Sequence, residues 1–64
     1  MSEKVLQELQ QFRRRKAARH IVAAMGKLKN AADYLARDED IAHINSLGTS
    51  VEALRHLLEA LRAS

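Results

Sequence analysis

Apolar residues recur along most of the chain at alternating intervals of three and four, which is the spacing of one helix face. The first series consists of Ile21, Met25, Leu28, Ala32 and Leu35. The second series consists of Ile44, Leu47, Val51, Leu54, Leu58 and Leu61. Each series is typical of the heptad seam by which one helix packs against another. The pattern predicts two helices, over about residues 3–37 and 40–62.

A short acidic segment, Asp38-Glu39-Asp40, separates the two predicted helices. Helices joined by so short a turn run antiparallel, with their seams facing each other. Ser2 is placed to cap the first helix, and either Asp38 or Asp40 to cap the second. The predicted fold class is therefore all-α, an antiparallel helical hairpin, in which residues 1–64 form a single domain.

In the second predicted helix, the local signals around Gly48 and the apolar spacing favour different structures. Glycine is common just past a helix end, and the sequence from Thr49 to Glu52 matches a capping box, so a break is one alternative. The apolar series nevertheless keeps its phase from Leu47 to Val51, on either side of the glycine. We favour one continuous helix.

The apolar residues nearest the N-terminus do not share the first seam. Val5, Leu9 and Phe12 form their own stripe, half a turn out of phase with Ile21 and separated from it by a basic run. Either the first helix bends at this run, or its N-terminal part faces a different neighbour. Since the second helix is long enough to pair back only to about Arg14, residues 1–13 are predicted to overhang.

A chain of 64 residues buries only about 60% of its unfolded surface, so a core of its own would be marginal, and small proteins of this size usually add a disulfide, a metal or a partner. The chain has no cysteine, and no apolar run has the length of a membrane span or a signal peptide. We expect a cytoplasmic protein stabilised by a partner chain, and a homo-oligomer when it is alone. The predicted partner-binding residues are Ile21, Met25, Leu28, Leu47, Val51, Leu54, Leu57, Leu58 and Leu61.

Charge is unevenly divided along the chain. Residues 1–30 carry eight basic and two acidic side chains, and residues 31–64 carry three basic and six acidic ones. A basic cluster of this kind is one way to contact phosphates, although on a helix its members spread around the axis. The alternative function is a homodimeric four-helix-bundle regulator that binds nucleic acid, similar in size and topology to the regulators of plasmid copy number. Its phosphate-contacting residues would be Arg13, Arg14, Arg15, Lys16 and Arg19.

The three histidines are the only candidate catalytic bases, and no serine or acid is spaced to form a triad with them. Because a two-helix hairpin also offers no cleft, the sequence argues against an enzyme. Glu39, Asp40 and His43 lie on one helix face, but a structural zinc site needs four ligands. We therefore predict no catalytic residue, no cofactor and no metal site, with His43 contacting the acids of its own first turn.

Several residue patterns in the middle of the chain are shared with a known family. They are Leu28-Lys29, the acidic turn ending in Asp40, the order Ile41-x-x-Ile44-x-x-Leu47, and Val51-Glu52-Ala53 followed by Leu57-Leu58, with Ile21 and Met25 upstream. In these features the stretch from Leu28 to Leu58 resembles the small needle co-chaperones of bacterial type III secretion systems. The resemblance covers about half of the chain without a gap.

The resemblance implies an antiparallel helical hairpin that binds a helical-repeat chaperone in the cytoplasm. Together the two proteins would hold the needle subunit of a virulence-associated secretion system in a monomeric state until export. A needle subunit polymerises through apolar helices, so a cytoplasmic holder must cover that surface. We expect Leu54→Asp or Leu57→Asp to abolish the complex and leave the helices intact.

Overall fold

The computed structural model describes residues 2–63 and consists of two helices, α1 (Glu3–Arg37) and α2 (Ile41–Ala63), packed against each other. The described residues contain no strand, so the predicted all-α helical hairpin is confirmed. Residues 1 and 64 of the predicted domain lie outside the described residues. The molecule measures 55 × 15 × 13 Å, and its long dimension is that of α1, about 52 Å at 1.5 Å per residue.

The two heptad series form the contact between the helices. Their side chains are half-buried, and among the described residues only Leu58 is fully buried, with 6% of its surface exposed. The α1 side of the seam continues towards the N-terminus as Ala18 and Arg14, in the same alternating spacing. A shallow pocket near the end of α2 is lined by Arg14, Ala18 and Leu61, among others. The predicted pairing of the second helix back to about Arg14 is therefore consistent with the structure.

The turn combines a helix C-cap with a helix N-cap. The backbone N–H of Glu39 donates to the Ala36 carbonyl at 3.1 Å, and that of Asp40 donates to the Leu35 carbonyl at 3.2 Å. This pair of hydrogen bonds is a Schellman motif, whose left-handed position is held by Glu39 with φ 52°. The Asp40 carbonyl then accepts from the Ile44 N–H at 3.0 Å, so one residue closes α1 and opens α2.

Both helix starts have side-chain caps. The Ser2 hydroxyl accepts a hydrogen bond from the Val5 N–H at 3.4 Å, as the sequence predicts. Of the two acids offered as caps for the second helix, Asp40 performs this role: its carboxylate accepts from the His43 N–H at 3.4 Å. Asp38 instead occupies the C-cap position of α1.

The second helix is continuous through Gly48, which confirms the favoured alternative. The Thr49 hydroxyl donates to the Asn45 carbonyl at 3.1 Å, and the Ser50 hydroxyl donates to the Ser46 carbonyl at 3.2 Å. These hydroxyls therefore bond back to the preceding turn of α2 and do not begin a new helix.

The first helix is also continuous, so the out-of-phase stripe does not arise from a bend. The N-terminal part of α1 projects beyond the end of α2, because α1 is longer by twelve residues, or about 18 Å. Gln11 still lines a pocket with Leu61 and Arg62 of α2. Val5 and Phe12 are 43% and 51% exposed on this projecting segment. Within residues 2–63, neither helix has an apolar stretch long enough to cross a bilayer.

Candidate partner-binding surface

The predicted partner-binding residues divide into two groups in the structure. Leu57 is on the surface, with 47% of its area exposed. The other members lie in the seam between α1 and α2, where they are half-buried or, for Leu58, buried. A change at Leu54 would therefore disturb the hairpin itself, whereas Leu57 is available to a second protein. The seam members are Ile21, Met25, Leu28, Leu47, Val51, Leu54, Leu58 and Leu61.

One long side of the hairpin is formed by small and apolar side chains. In α1, Ala17, Ala24 and Ala31 follow each other at seven-residue intervals and so share one face. In α2, Ser50 and Leu57 are related by the same interval. We call the surface formed by these residues and Ser46 the neutral face. It consists of Ala17, Ala24, Ala31, Ser46, Ser50 and Leu57.

A shallow groove of about 600 Å³ runs along the turn half of the neutral face. Ala31 and Leu35 line it from α1, and Leu47 lines it from α2, together with the two serines of the neutral face. Because Ala31 and these serines are small, the backbones of both helices are accessible to an approaching helix. The arrangement suits an added helix better than a small ligand, since the groove is open along its length.

Apart from Lys27 at its margin, the neutral face carries charge only near its two ends. Seven residues after Ala31 comes Asp38, and four residues before Ala17 comes Arg13. Asp40 and His43 line the groove at the turn end, with the His43 Nδ1 2.6 Å from the Asp40 carboxylate. The hydrogen bond from the His43 side chain lowers the pKa of the Asp40 carboxyl, and the backbone bond from the same residue acts in the same direction.

The outer surface of α2 is different in character, because it carries most of the ion pairs of the described residues. Arg55 lies 3.3 Å from the Glu52 carboxylate, and the two nitrogens of His56 lie 3.5 and 4.0 Å from Glu52 and Glu59. All of these side chains are more than half exposed. Such pairs contribute little to stability and make this side strongly hydrated.

The basic run lies where α1 passes the end of α2, and its members take different environments. Arg14 is half-buried at the end of the seam, and Lys16 lies 5.6 Å from the ring centre of Phe12. Arg15 and Arg19 are exposed on the side of α1 that carries Val22. Over residues 2–63, none of the basic side chains from Arg13 to Arg19 has a carboxylate within 4.0 Å.

The structure places His43 as the sequence predicts, against Asp40 in the first turn of α2 and 74% exposed. His20 is exposed on α1. Within residues 2–63, no three histidine, aspartate or glutamate side chains come together in a way that would hold a metal ion.

Sequence reasoning did not assign Ala31, Ser46 and Ser50 to a binding surface. The signal was present as the seven-residue spacing of the alanines, but small residues beside a seam are equally compatible with a solvated surface. Only the paired helices show that these positions adjoin the same groove. Comparison with known proteins finds no matching family model, no similar curated protein and no similar solved structure.

Proposed function

We propose that this chain is a non-enzymatic cytoplasmic interaction module that binds a larger helical-repeat chaperone through the neutral face. In this role it acts like the small needle co-chaperones of type III secretion systems, whose residue patterns it resembles. The complex keeps a needle subunit from polymerising before export. The chain contributes two helices that complete the core of the larger protein.

The observation that carries the proposal is the amount of surface that the hairpin leaves uncovered. Its accessible area is 5311 Å², whereas a folded monomer of 7.2 kDa has about 4,100 Å². The difference of about 1,200 Å² exceeds the roughly 800 Å² that each partner contributes to a standard protein interface. A chain with one buried side chain among residues 2–63 and this much surplus surface is suited to completing another protein.

The neutral face supports a helical partner in particular. Helices approach most closely where side chains are small, and Ala24, Ala31 and Ser50 are such positions. Leu57 adds a side chain that can enter a pocket between two partner helices. A helical-repeat protein presents such pockets at regular intervals along its concave surface.

The test is a pull-down with a tagged chain from cells that produce it, at high salt and with nuclease present, read by mass spectrometry. Apolar contacts survive salt, so we expect a stoichiometric helical-repeat protein together with a needle subunit. Recovery of neither protein would contradict the proposal.

Two variants make this experiment specific to the neutral face. Leu57 and Val22 are both 47% exposed, but Val22 lies on the opposite side of the hairpin with Arg15 and Arg19. We expect Leu57→Asp to abolish capture and Val22→Asp to leave it intact. Equal losses in both variants would place the contact elsewhere.

Nucleic-acid binding by the basic run is the second candidate function. It is favoured by the absence of carboxylate partners, within residues 2–63, for the cations from Arg13 to Arg19. Binding of this kind falls steeply with salt, because each phosphate contact releases counterions. Nucleic acid that co-purifies only at low salt, and is lost in Arg15→Glu with Arg19→Glu, would support this function over the first.

A further inference from the structure

We infer that in the absence of a chaperone two copies of this chain pair side by side and antiparallel through their neutral faces, with Arg13 of each against Asp38 of the other. The product is a four-helix bundle that covers the surface used for the chaperone. The inference rests on the proposed function only for the choice of face. Its physical support is independent and comes from the charges at the ends of the neutral face, the distance between them along α1, and the accessible area of the chain.

The charges at the ends of the neutral face are unsatisfied within one hairpin. Over residues 2–63, Arg13 has no carboxylate within 4.0 Å, and Asp38 has no basic side chain within that distance. The two residues are 25 positions apart on one helix, so they are separated by about 37 Å and cannot meet in the same molecule. They can meet only in a second copy.

The antiparallel direction follows from this placement. A two-fold axis that crosses the face at the level of residues 25 and 26, midway between Arg13 and Asp38, brings the basic end of one copy to the acidic turn of the other, twice. In a parallel pair, the Asp38 residues of the two copies would lie side by side, and so would the two Arg13 residues, so that like charges would meet. Lys27 lies at the margin of the face near this axis, where its long side chain can reach solvent.

The area available fits such a dimer. The surplus of about 1,200 Å² per copy belongs to the whole chain, so it sets an upper limit of about 2,400 Å² on the interface, which reaches the range of obligate homodimers. Apart from Lys27 at its margin, the surface to be buried lacks charge between its ends, which is also characteristic of homodimer cores. The projecting N-terminal parts of the two α1 helices would extend from both ends of the bundle and remain free.

Engineered cysteines test the geometry directly, because the natural chain has none. Arg13→Cys and Asp38→Cys chains are mixed and oxidised, and the covalent products are separated by mass. We expect the mixed disulfide between the two variants to predominate over both same-variant products. Predominance of the same-variant disulfides would overturn the antiparallel arrangement.

Charge reversal tests the same contact without a cross-link, by sedimentation equilibrium of the purified chain. Exposed ion pairs are individually weak, so we expect Arg13→Glu or Asp38→Lys alone to weaken the dimer by about tenfold. The chain that carries both changes should regain wild-type affinity, since the opposite charges again meet across the axis. Arg19→Glu makes the same change of charge away from the neutral face and should have little effect.

The outcomes separate this inference from the proposed function. A chain that sediments as a monomer throughout the micromolar range overturns the dimer, whether or not it still captures a chaperone. A dimer that shows the expected cross-link and charge rescue supports the inference even if no chaperone is ever captured. A dimer unaffected by Leu57→Asp, or by either charge reversal, uses another surface and also overturns it.

Discussion

The carboxylate of Asp40 makes two contacts with His43, one to its backbone N–H at 3.4 Å and one to its imidazole Nδ1 at 2.6 Å. The first contact caps α2, and the second holds the histidine at the turn end of the groove. Both contacts favour the ionised carboxylate, and the side-chain contact is the larger cause of its lowered pKa.

The first prediction concerns the pH dependence of this cap. Because the pKa of Asp40 is lowered on folding, the stabilisation is present above the ordinary value of 3.8 and is lost as the pH falls through the lowered pKa. Asp40→Asn keeps a capping side chain but has no charge. We expect the wild type to unfold at a higher temperature than the variant near neutral pH. The difference between their thermal midpoints should disappear in acid.

The measurement is a series of thermal unfolding curves at fixed protein concentration, with an NMR titration of the Asp40 carboxyl. A fixed concentration matters because association would otherwise change the apparent midpoint. A difference that persists unchanged at the lowest pH would show that the charge of Asp40 contributes nothing to the fold.

A second prediction concerns the turn, where Glu39 has φ 52°. A residue with a Cβ is strained in this left-handed conformation by about 1–2 kcal/mol, whereas glycine is not. Part of that gain is offset by the greater freedom of glycine in the unfolded chain. We expect Glu39→Gly to raise the free energy of unfolding by about 1 kcal/mol.

Urea unfolding checks this value, with Asp38→Gly as the control. Asp38 has φ −97°, which any residue adopts, so glycine there brings no relief of strain and only loses chain entropy. A Glu39→Gly chain less stable than wild type would contradict the role assigned to the turn.

The sequence predicted the hairpin well because its main signal is periodic. The apolar series from Ile44 to Leu61 keeps its phase for about five turns, and this outweighed the local capping signal at Thr49. The choice between Asp38 and Asp40 as the cap was left open, since both residue types are suitable and only the path of the turn separates them.

The partner-binding surface of the hairpin was harder to predict than its fold, for a physical reason. A seam residue is recognised by its apolar character, so Leu54 and Leu58 were predicted to bind a partner, and in the structure they are half-buried and buried. Which side of a seam remains open depends on how two helices are rotated about their axes. That rotation is a property of the packed pair and leaves no mark in the apolar spacing of either helix alone.

The two glycines provide a third prediction. Both lie inside helices, and a Cβ added at Gly26 or Gly48 would meet no atom within 4 Å. Glycine in a helix is about 0.5–1 kcal/mol less favourable than alanine, so each change to alanine should stabilise the chain by that amount. Thermal unfolding of the two single variants and of the double variant checks the values and their additivity. A destabilised variant would reveal a close neighbour at that position in solution.

A fourth prediction separates the core from the surface at two adjacent residues. Leu58 is 6% exposed and Leu57 is 47% exposed. Removing a buried leucine side chain leaves a cavity, so Leu58→Ala should lower the free energy of unfolding by about 2–5 kcal/mol. Leu57→Ala should change it by less than about 1 kcal/mol in the free monomer. Urea titration followed by circular dichroism measures both, and equal losses would contradict the packing described.

The last prediction concerns the projecting part of α1. On this part of α1, Phe12 is 51% exposed, with Lys16 5.6 Å from its ring centre. An exposed cation–π contact contributes only about 0.5–1 kcal/mol. We therefore expect Phe12→Ala to lower the free energy of unfolding by at most about 1 kcal/mol, whereas Ile21→Ala in the seam should lower it by about 2–5 kcal/mol.

Chemical unfolding of the two variants at one protein concentration provides the comparison. If Phe12→Ala destabilises the chain as strongly as Ile21→Ala, the projecting stripe is already covered in the free protein, by a second copy or by a bend of α1 in solution. A small loss means that Phe12 stays exposed, as it is in the structure together with Val5. An apolar stripe that contributes nothing to the stability of its own chain is then available to a second contact, separate from the neutral face.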